Sequence, residues 1–301
     1  MKRIVAGVVA VAAVLVVPGV VHAWGEAGHR ITGEVAALKM PPSTPAFFRS
    51  AFKQLAYLNP EPDRWRDRAE QSIDPALDGG TAPEHFIDME MATPAVLTAA
   101  LKAPNRFAYL DTLAAAGIKG STMGLLPFRM LELSQQLRED FRNWRAAPDS
   151  VKPWVEARII DVAGILGHYV ADGSNPTHTS IEYNGWTGAN PNGYATDKRL
   201  HSRFESAYVQ ANIKVSDVLP AVDTVARVLP DLRAAIIAYL KESNSHVEQL
   251  YQIDKAHPFD ANSTSPEDKA FVVERLAAGA RMLRDIWYTA WVTSGAPANG
   301  R

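Results

Sequence analysis

The chain contains no cysteine. Disulfides are therefore excluded as a source of stability, and a bound metal would have to be held through nitrogen and oxygen. An excess of charge of one sign is also missing: 31 Lys and Arg stand against 33 Asp and Glu, a formal net charge of −2. Without a general basic field, no bulk affinity for duplex nucleic acid is expected. Period-two alternation of Val, Ile and Thr is scarce, which argues against a sheet of any size. No fixed-period repeat, low-complexity tract or rich linker divides the chain, so a single domain is the simplest organisation.

Long apolar runs are absent but for one, at residues 4–21. It follows Lys2 and Arg3 and leads into Val21-His22-Ala23, with Ala and Val one and three places before a cut after Ala23. That is the layout of a secretory signal peptide. Pro18 and Gly19 interrupt the run and no charged stop-transfer cluster follows, which favours cleavage over an uncleaved membrane tether. The expectation is a signal peptide at 1–23 and an exported domain at 24–301, secreted or periplasmic. No stable membrane insertion after processing and no protein partner are expected. Loss of Lys2 and Arg3 would take the formal charge from −2 to −4.

Helical periodicity is what the sequence has in plenty. Apolar residues at three-to-four spacing predict amphipathic helices over 31–38, 45–58, 128–144 and 155–170, with further helical stretches at about 198–210, 215–228, 230–250 and 266–291. Ser43 and Ser265 are suited to cap the helices that follow them. Pro, Gly, Asn and Asp gather at 59–83 and 172–196, irregular segments on a helical scaffold where chemistry tends to sit. The fold class is all-α, a single multi-helix domain.

Of the eight histidines, five fall into patterns suited to metal binding. In Gly167-His168-Tyr169-Val170-Ala171-Asp172-Gly173-Ser174-Asn175-Pro176-Thr177-His178, His168 and Asp172 are four apart and project from one helix face. Gly173 and Pro176 then turn the chain, so that His178 can return beside that face. His201 and Glu205 repeat the four-residue spacing. A lone His-x-x-x-Asp is usually a helix-surface hydrogen bond; two such pairs with a third histidine after a turn suit zinc, which accepts imidazole nitrogen and carboxylate oxygen. A chain cut after Ala23 would begin Trp24-Gly25-Glu26-Ala27-Gly28-His29. Its free amine and the carbonyl of the same residue could chelate a metal, with His29 one short turn away. Uncut, Trp24 is an ordinary aromatic anchor. His246 and His257 read as surface or helix-end histidines.

Taken together, these residues resemble the superfamily of zinc-dependent bacterial phospholipases C and fungal single-strand-specific nucleases. The likeness rests on Trp24 and His29 in a Trp-Gly-x-x-Gly-His start, His85 in Glu84-His85-Phe86-Ile87-Asp88, the His168/Asp172/His178 block and the His201/Glu205 pair, and it runs from Trp24 to about Val209. The resemblance implies a mostly helical fold holding three zinc ions. It implies a first zinc on Asp63, His85, His168 and Asp172, and a second on His178, His201 and Glu205. A third would take the amine and carbonyl of Trp24 with His29, Asp172 bridging it to the first. Asp67, in Trp65-Arg66-Asp67, also matches the family's Trp-x-Asp pattern. Asp63 is preferred because Arg66 then falls three residues later, where the nucleases place a phosphate-facing arginine; Asp63 and Arg66 are the catalytic candidates. Asp88 is expected either to orient a ligand histidine or to cap the segment after it.

The implied activity is hydrolysis of phosphate esters by an exported trinuclear-zinc enzyme. The short spacing from Trp24 to His29 resembles the nucleases, whereas Glu205 and the run His-Ser-Arg-Phe-Glu resemble the phospholipases, which are favoured. Phospholipid head groups or single-stranded nucleic acid are the candidate substrates. Tyr183, Trp186 and Tyr194 are expected to border a head-group pocket, to stack on bases, or to pack a surface loop. A non-catalytic exported zinc-binding protein would use the same ligands.

Overall fold

The computed structural model describes residues 24–296, apart from the side chains of residues 77 and 78, so the expected signal peptide lies outside the described residues. Every regular element among the described residues is helical and none is a strand. The longer helices are α1 (Gly25–Leu38), α2 (Phe52–Leu58), α3 (Leu126–Ala146), α4 (Lys152–Ser174), α5 (Leu232–Asn244), α6 (Val247–Ala256) and α7 (Pro266–Thr293).

Helix α4 is the axis of the fold, and α1, α2, α3, α5 and α7 all pack against it. Its last turns are buried on every side, from Leu166 through Val170 to Ser174. A helix enclosed in this way is normally apolar all round. Here His168 and Asp172 sit in those enclosed turns, fully buried. Polar groups so placed are costly unless partners are provided, and the surrounding elements provide them.

Several boundaries differ from the sequence expectation for identifiable reasons. The helix expected at 45–58 is two, Ala46–Ser50 and Phe52–Leu58, and Ser43 caps neither. Pro45 occupies the cap position, and the Ser43 carbonyl instead accepts the Trp291 indole N–H at 2.9 Å. Ser265 does cap α7, its Oγ accepting the Asp268 N–H. The stretch expected as helix over 215–228 is helical only across Val215–Val218 and Leu219–Ala221. Beyond it, Asp285 and Thr289 of α7 accept the backbone N–H groups of Arg227 and Leu229, taking the place of helical partners. The region 230–250 divides at Ser245–His246 into α5 and α6. Residues 59–83, expected to be irregular, contain the short helices Glu61–Arg64, Arg68–Ile73 and Pro75–Thr81. Helices at Pro94–Leu101 and Arg106–Ala115 were outside the sequence expectation. No helix among the described residues is long and apolar enough to cross a membrane.

Candidate metal centre

Five imidazoles and three carboxylates converge beside the C-terminal half of α4. They form three groups in which the donor atoms lie within 4.8 Å of one another: His29/His168/Asp172, Asp63/His85/His168 and His178/His201/Glu205. All eight side chains are buried. Helix α1 supplies His29, Glu61–Arg64 supplies Asp63, and a 3-10 turn at Ala82–His85 supplies His85.

The turn after α4 shows how the local sequence places a donor. Asn175 ends the helix, its Oδ1 accepting both the Thr177 N–H at 3.0 Å and the Thr177 hydroxyl at 2.8 Å. Pro176 needs no backbone partner at that position. The 3-10 turn Pro176–His178 then carries His178 back, and the His178 carbonyl accepts the Ile87 N–H at 2.9 Å. The stretch at Leu200–Ser202 continues into a wide π turn at Arg203–Tyr208, an element frequent at functional sites. His201 Nε2 and Glu205 Oε2 meet across it at 2.6 Å.

Second contacts decide which face of each ring carries a lone pair. The Asn59 carbonyl lies 3.0 Å from His168 Nδ1, and the His85 carbonyl lies 2.7 Å from His178 Nδ1. A carbonyl can only accept, so these Nδ1 atoms donate, and His168 Nε2 and His178 Nε2 present lone pairs inward. They face carboxylate oxygens: His168 Nε2 is 3.4 Å from Asp172 Oδ2, and His178 Nε2 is 3.7 Å from Glu205 Oε2. Asp172 opens both ways, with Oδ1 3.4 Å from His29 Nε2 and Oδ2 3.2 Å from His85 Nδ1. Asp63 Oδ2, Asp172 Oδ1 and Glu205 Oε1 have no hydrogen-bond partner. Buried electron-pair donors aimed at one another repel unless a proton or a cation sits among them, and the residues present fit divalent ions held by nitrogen and oxygen.

The electrostatics agree with that reading. Burial raises Asp172 well above the usual carboxylate range, and Asp63 and Glu205 push it further the same way. Asp63 is likewise raised by burial, against the pull of Arg66. Burial holds Glu205 up at about 7 and pushes His201 down to about 3. His85 and His168 are pushed well below their ordinary value, by burial first and then by Arg66 for His85 and by the neighbouring imidazoles for His168.

Comparison with protein-family models, with curated proteins and with solved structures yields no match to this chain.

Asp63 and Asp67 separate cleanly. Asp63 is buried within the centre, whereas Asp67 is exposed and caps Arg68–Ile73, accepting the Glu70 N–H at 2.9 Å. The Trp24 indole is buried against Phe204 and donates to the Ala171 carbonyl at 2.8 Å and the Ser174 hydroxyl at 3.0 Å. Its own carbonyl, expected as a ligand, accepts the Gly28 N–H at 3.0 Å. Its backbone N–H bonds to the Glu205 carboxylate, so the main chain of Trp24 does reach the centre.

A cavity of about 520 Å³ opens onto His85, His178 and His201, with Arg66, Phe86, Asp88 and Tyr183 in its wall. Asp88 neither bonds to a ligand histidine nor caps the turn at Met89–Met91; its half-buried carboxyl, raised to about 7 by burial and by Glu90, faces the cavity. Of the three loop aromatics, Tyr183 reaches the cavity, its half-exposed ring 5.8 Å from that of His201. Trp186 and Tyr194 pack on each other and on Tyr251, so they serve the loop. His246 lies outside the centre, bonded to Glu242 and Gln249, and His257 ends α6. Sequence reasoning missed Asn59 and left Asn175 without a role. A single asparagine carries no pattern of its own, and the cap position of Asn175 just before Pro176 was the one available signal.

Proposed function

We propose that the chain is an exported, zinc-dependent phosphoric ester hydrolase of the phospholipase C type, processed after Ala23 and holding three zinc ions. The observation that carries this reading is the convergence of His29, Asp63, His85, His168, Asp172, His178, His201 and Glu205 beside a cavity whose wall includes Arg66. Zinc held by these groups would polarise phosphoryl oxygens and supply a water acidic enough to attack at neutral pH.

The chain's own residues divide the remaining work. Arg66, in the cavity wall, would bind a phosphate oxygen through charge-assisted hydrogen bonds as negative charge grows there. Asp172, with one oxygen toward His29 and the other toward His85 and His168, links two donor groups into one unit. Asp63, buried with His85 and His168, would hold the ion of that donor group through its carboxylate.

Cut after Ala23, the chain would offer a new amine where the Trp24 N–H now meets Glu205.

A second reading is a single-strand-specific nuclease, which the Tyr183 ring at the cavity favours, since base stacking needs an exposed aromatic face. Hydrolysis of phosphatidylcholine vesicles, single-stranded DNA and RNA, and an aryl phosphodiester by the processed protein, before and after chelation and zinc return, separates the two. Zinc-restored release of the phosphorylated head group is the expected result. Activity that survives complete chelation would overturn the reading, and zinc-restored cleavage of nucleic acid alone would establish the nuclease.

A further inference from the structure

Asn59 touches two histidines of the centre in different ways. Its backbone carbonyl accepts from His168 Nδ1 at 3.0 Å, and its side-chain Oδ1 lies 3.2 Å from His29 Nδ1. The two rings stack, with centroids 4.0 Å apart and planes 14° from parallel. Because both Nδ1 atoms point at one residue, both Nε2 atoms point the other way, to the two oxygens of Asp172, each at 3.4 Å. Asn59 is fully buried, and its amide is wedged between two helices at glycines. A Cβ at Gly33 of α1 would stand 2.8 Å from Asn59 Nδ2, and one at Gly167 of α4 would stand 2.2 Å away. Any larger residue at either position would drive the amide out.

We propose that Asn59 is a positioning residue that sets the tautomer of His29 and couples the His29 group to the His168 group through the shared Asp172. The inference rests on the metal-binding reading above but not on the reaction. With Oδ1 facing it, His29 carries its proton at Nδ1 and turns a lone pair at Nε2 toward Asp172. Removing the side chain leaves the carbonyl that serves His168 in place, so the effect should fall on one donor group. Loss of such an outer hydrogen bond typically weakens metal binding by about 10- to 100-fold.

The experiment compares the parent, Asn59→Ala, Asn59→Asp and Gly33→Ala by elemental analysis after dialysis against graded zinc buffers. Imidazole 15N NMR of the metal-free proteins is recorded alongside. In Asn59→Ala and Gly33→Ala the weakest-held ion should be lost about 10- to 100-fold more readily while the other two are retained. The His29 signal should leave the Nδ1-protonated form, with that of His168 unchanged. Asn59→Asp, which keeps an acceptor at the same place, should restore both readouts. Full retention of every ion in Asn59→Ala, equal weakening of all of them, or an unchanged His29 tautomer would overturn the proposal. A parent chain that binds no zinc would overturn the metal-binding reading itself.

Discussion

At the scale of single residues, the centre depends most on Asp172, because each of its oxygens serves a different histidine group. Replacing it with asparagine keeps the shape and removes the charge, so if the proposed three zinc ions bind, Asp172→Asn is expected to lower bound zinc to about one ion, leaving the His178/His201/Glu205 group loaded. Elemental analysis of the two proteins checks this, and equal zinc in both would remove the bridging role. Asp172 is also a buried carboxylate whose charged form is opposed by burial and by Asp63. In the presence of chelator, the variant should therefore melt no lower than the parent. His246 bonds to Glu242 and Gln249, away from the centre, and His246→Ala should leave zinc content unchanged.

At the scale of elements, the short turns matter more than the long helices they join. Helix α4 delivers His168 and Asp172 by simple four-residue spacing, but His178 arrives through the Asn175 cap and the 3-10 turn behind it. The Asn175 amide also donates to Glu205 Oε2 at 3.2 Å, tying that turn to the π turn that carries Glu205. Asn175→Ala is expected to cost about 1–2 kcal/mol of stability in chelator, the usual penalty for a lost cap. It should also weaken zinc binding at the His178/His201/Glu205 group. Denaturant unfolding with and without zinc measures both effects, and a variant whose zinc-bound and chelated forms lose the same amount would assign Asn175 to folding alone.

For the whole molecule, zinc held at the proposed centre would make the stability of the fold depend on metal and pH together. Folding raises Glu205 from 4.5 to about 7. That group therefore contributes stability at low pH, and the contribution is lost as pH rises through about 7. His201 runs the other way: it is lowered from 6.5 to about 3, so its contribution is present above 6.5 and lost as pH falls. The metal-free chain is thus opposed from both sides, whereas bound zinc would stabilise the ionised carboxylates and the neutral imidazoles at once. The rise in Tm on adding zinc should therefore grow as pH rises toward about 7 and level off above it, where Glu205 is ionised in the metal-free fold as well. Thermal melts of zinc-loaded and chelated protein test this, and a rise that is independent of pH would contradict it.

What the sequence determined by itself is what short-range geometry controls. The helical class follows from three-to-four periodicity, the Ser265 cap from one hydroxyl before a proline, and the His168/Asp172 and His201/Glu205 pairs from the four-residue repeat of a helix. The packing of α1, α2, α7 and the short elements Glu61–Arg64 and Ala82–His85 on α4 decided the rest. Only that packing brings His29, Asp63 and His85 to Asp172, separates Asp63 from its exposed neighbour Asp67, and gives Asn59 two histidines to hold. It also turned Trp186 and Tyr194 inward, leaving Tyr183 at the cavity. Local spacing says which side chains share a face; which distant faces meet is set by how buried surfaces fit, and no short stretch of sequence contains that information.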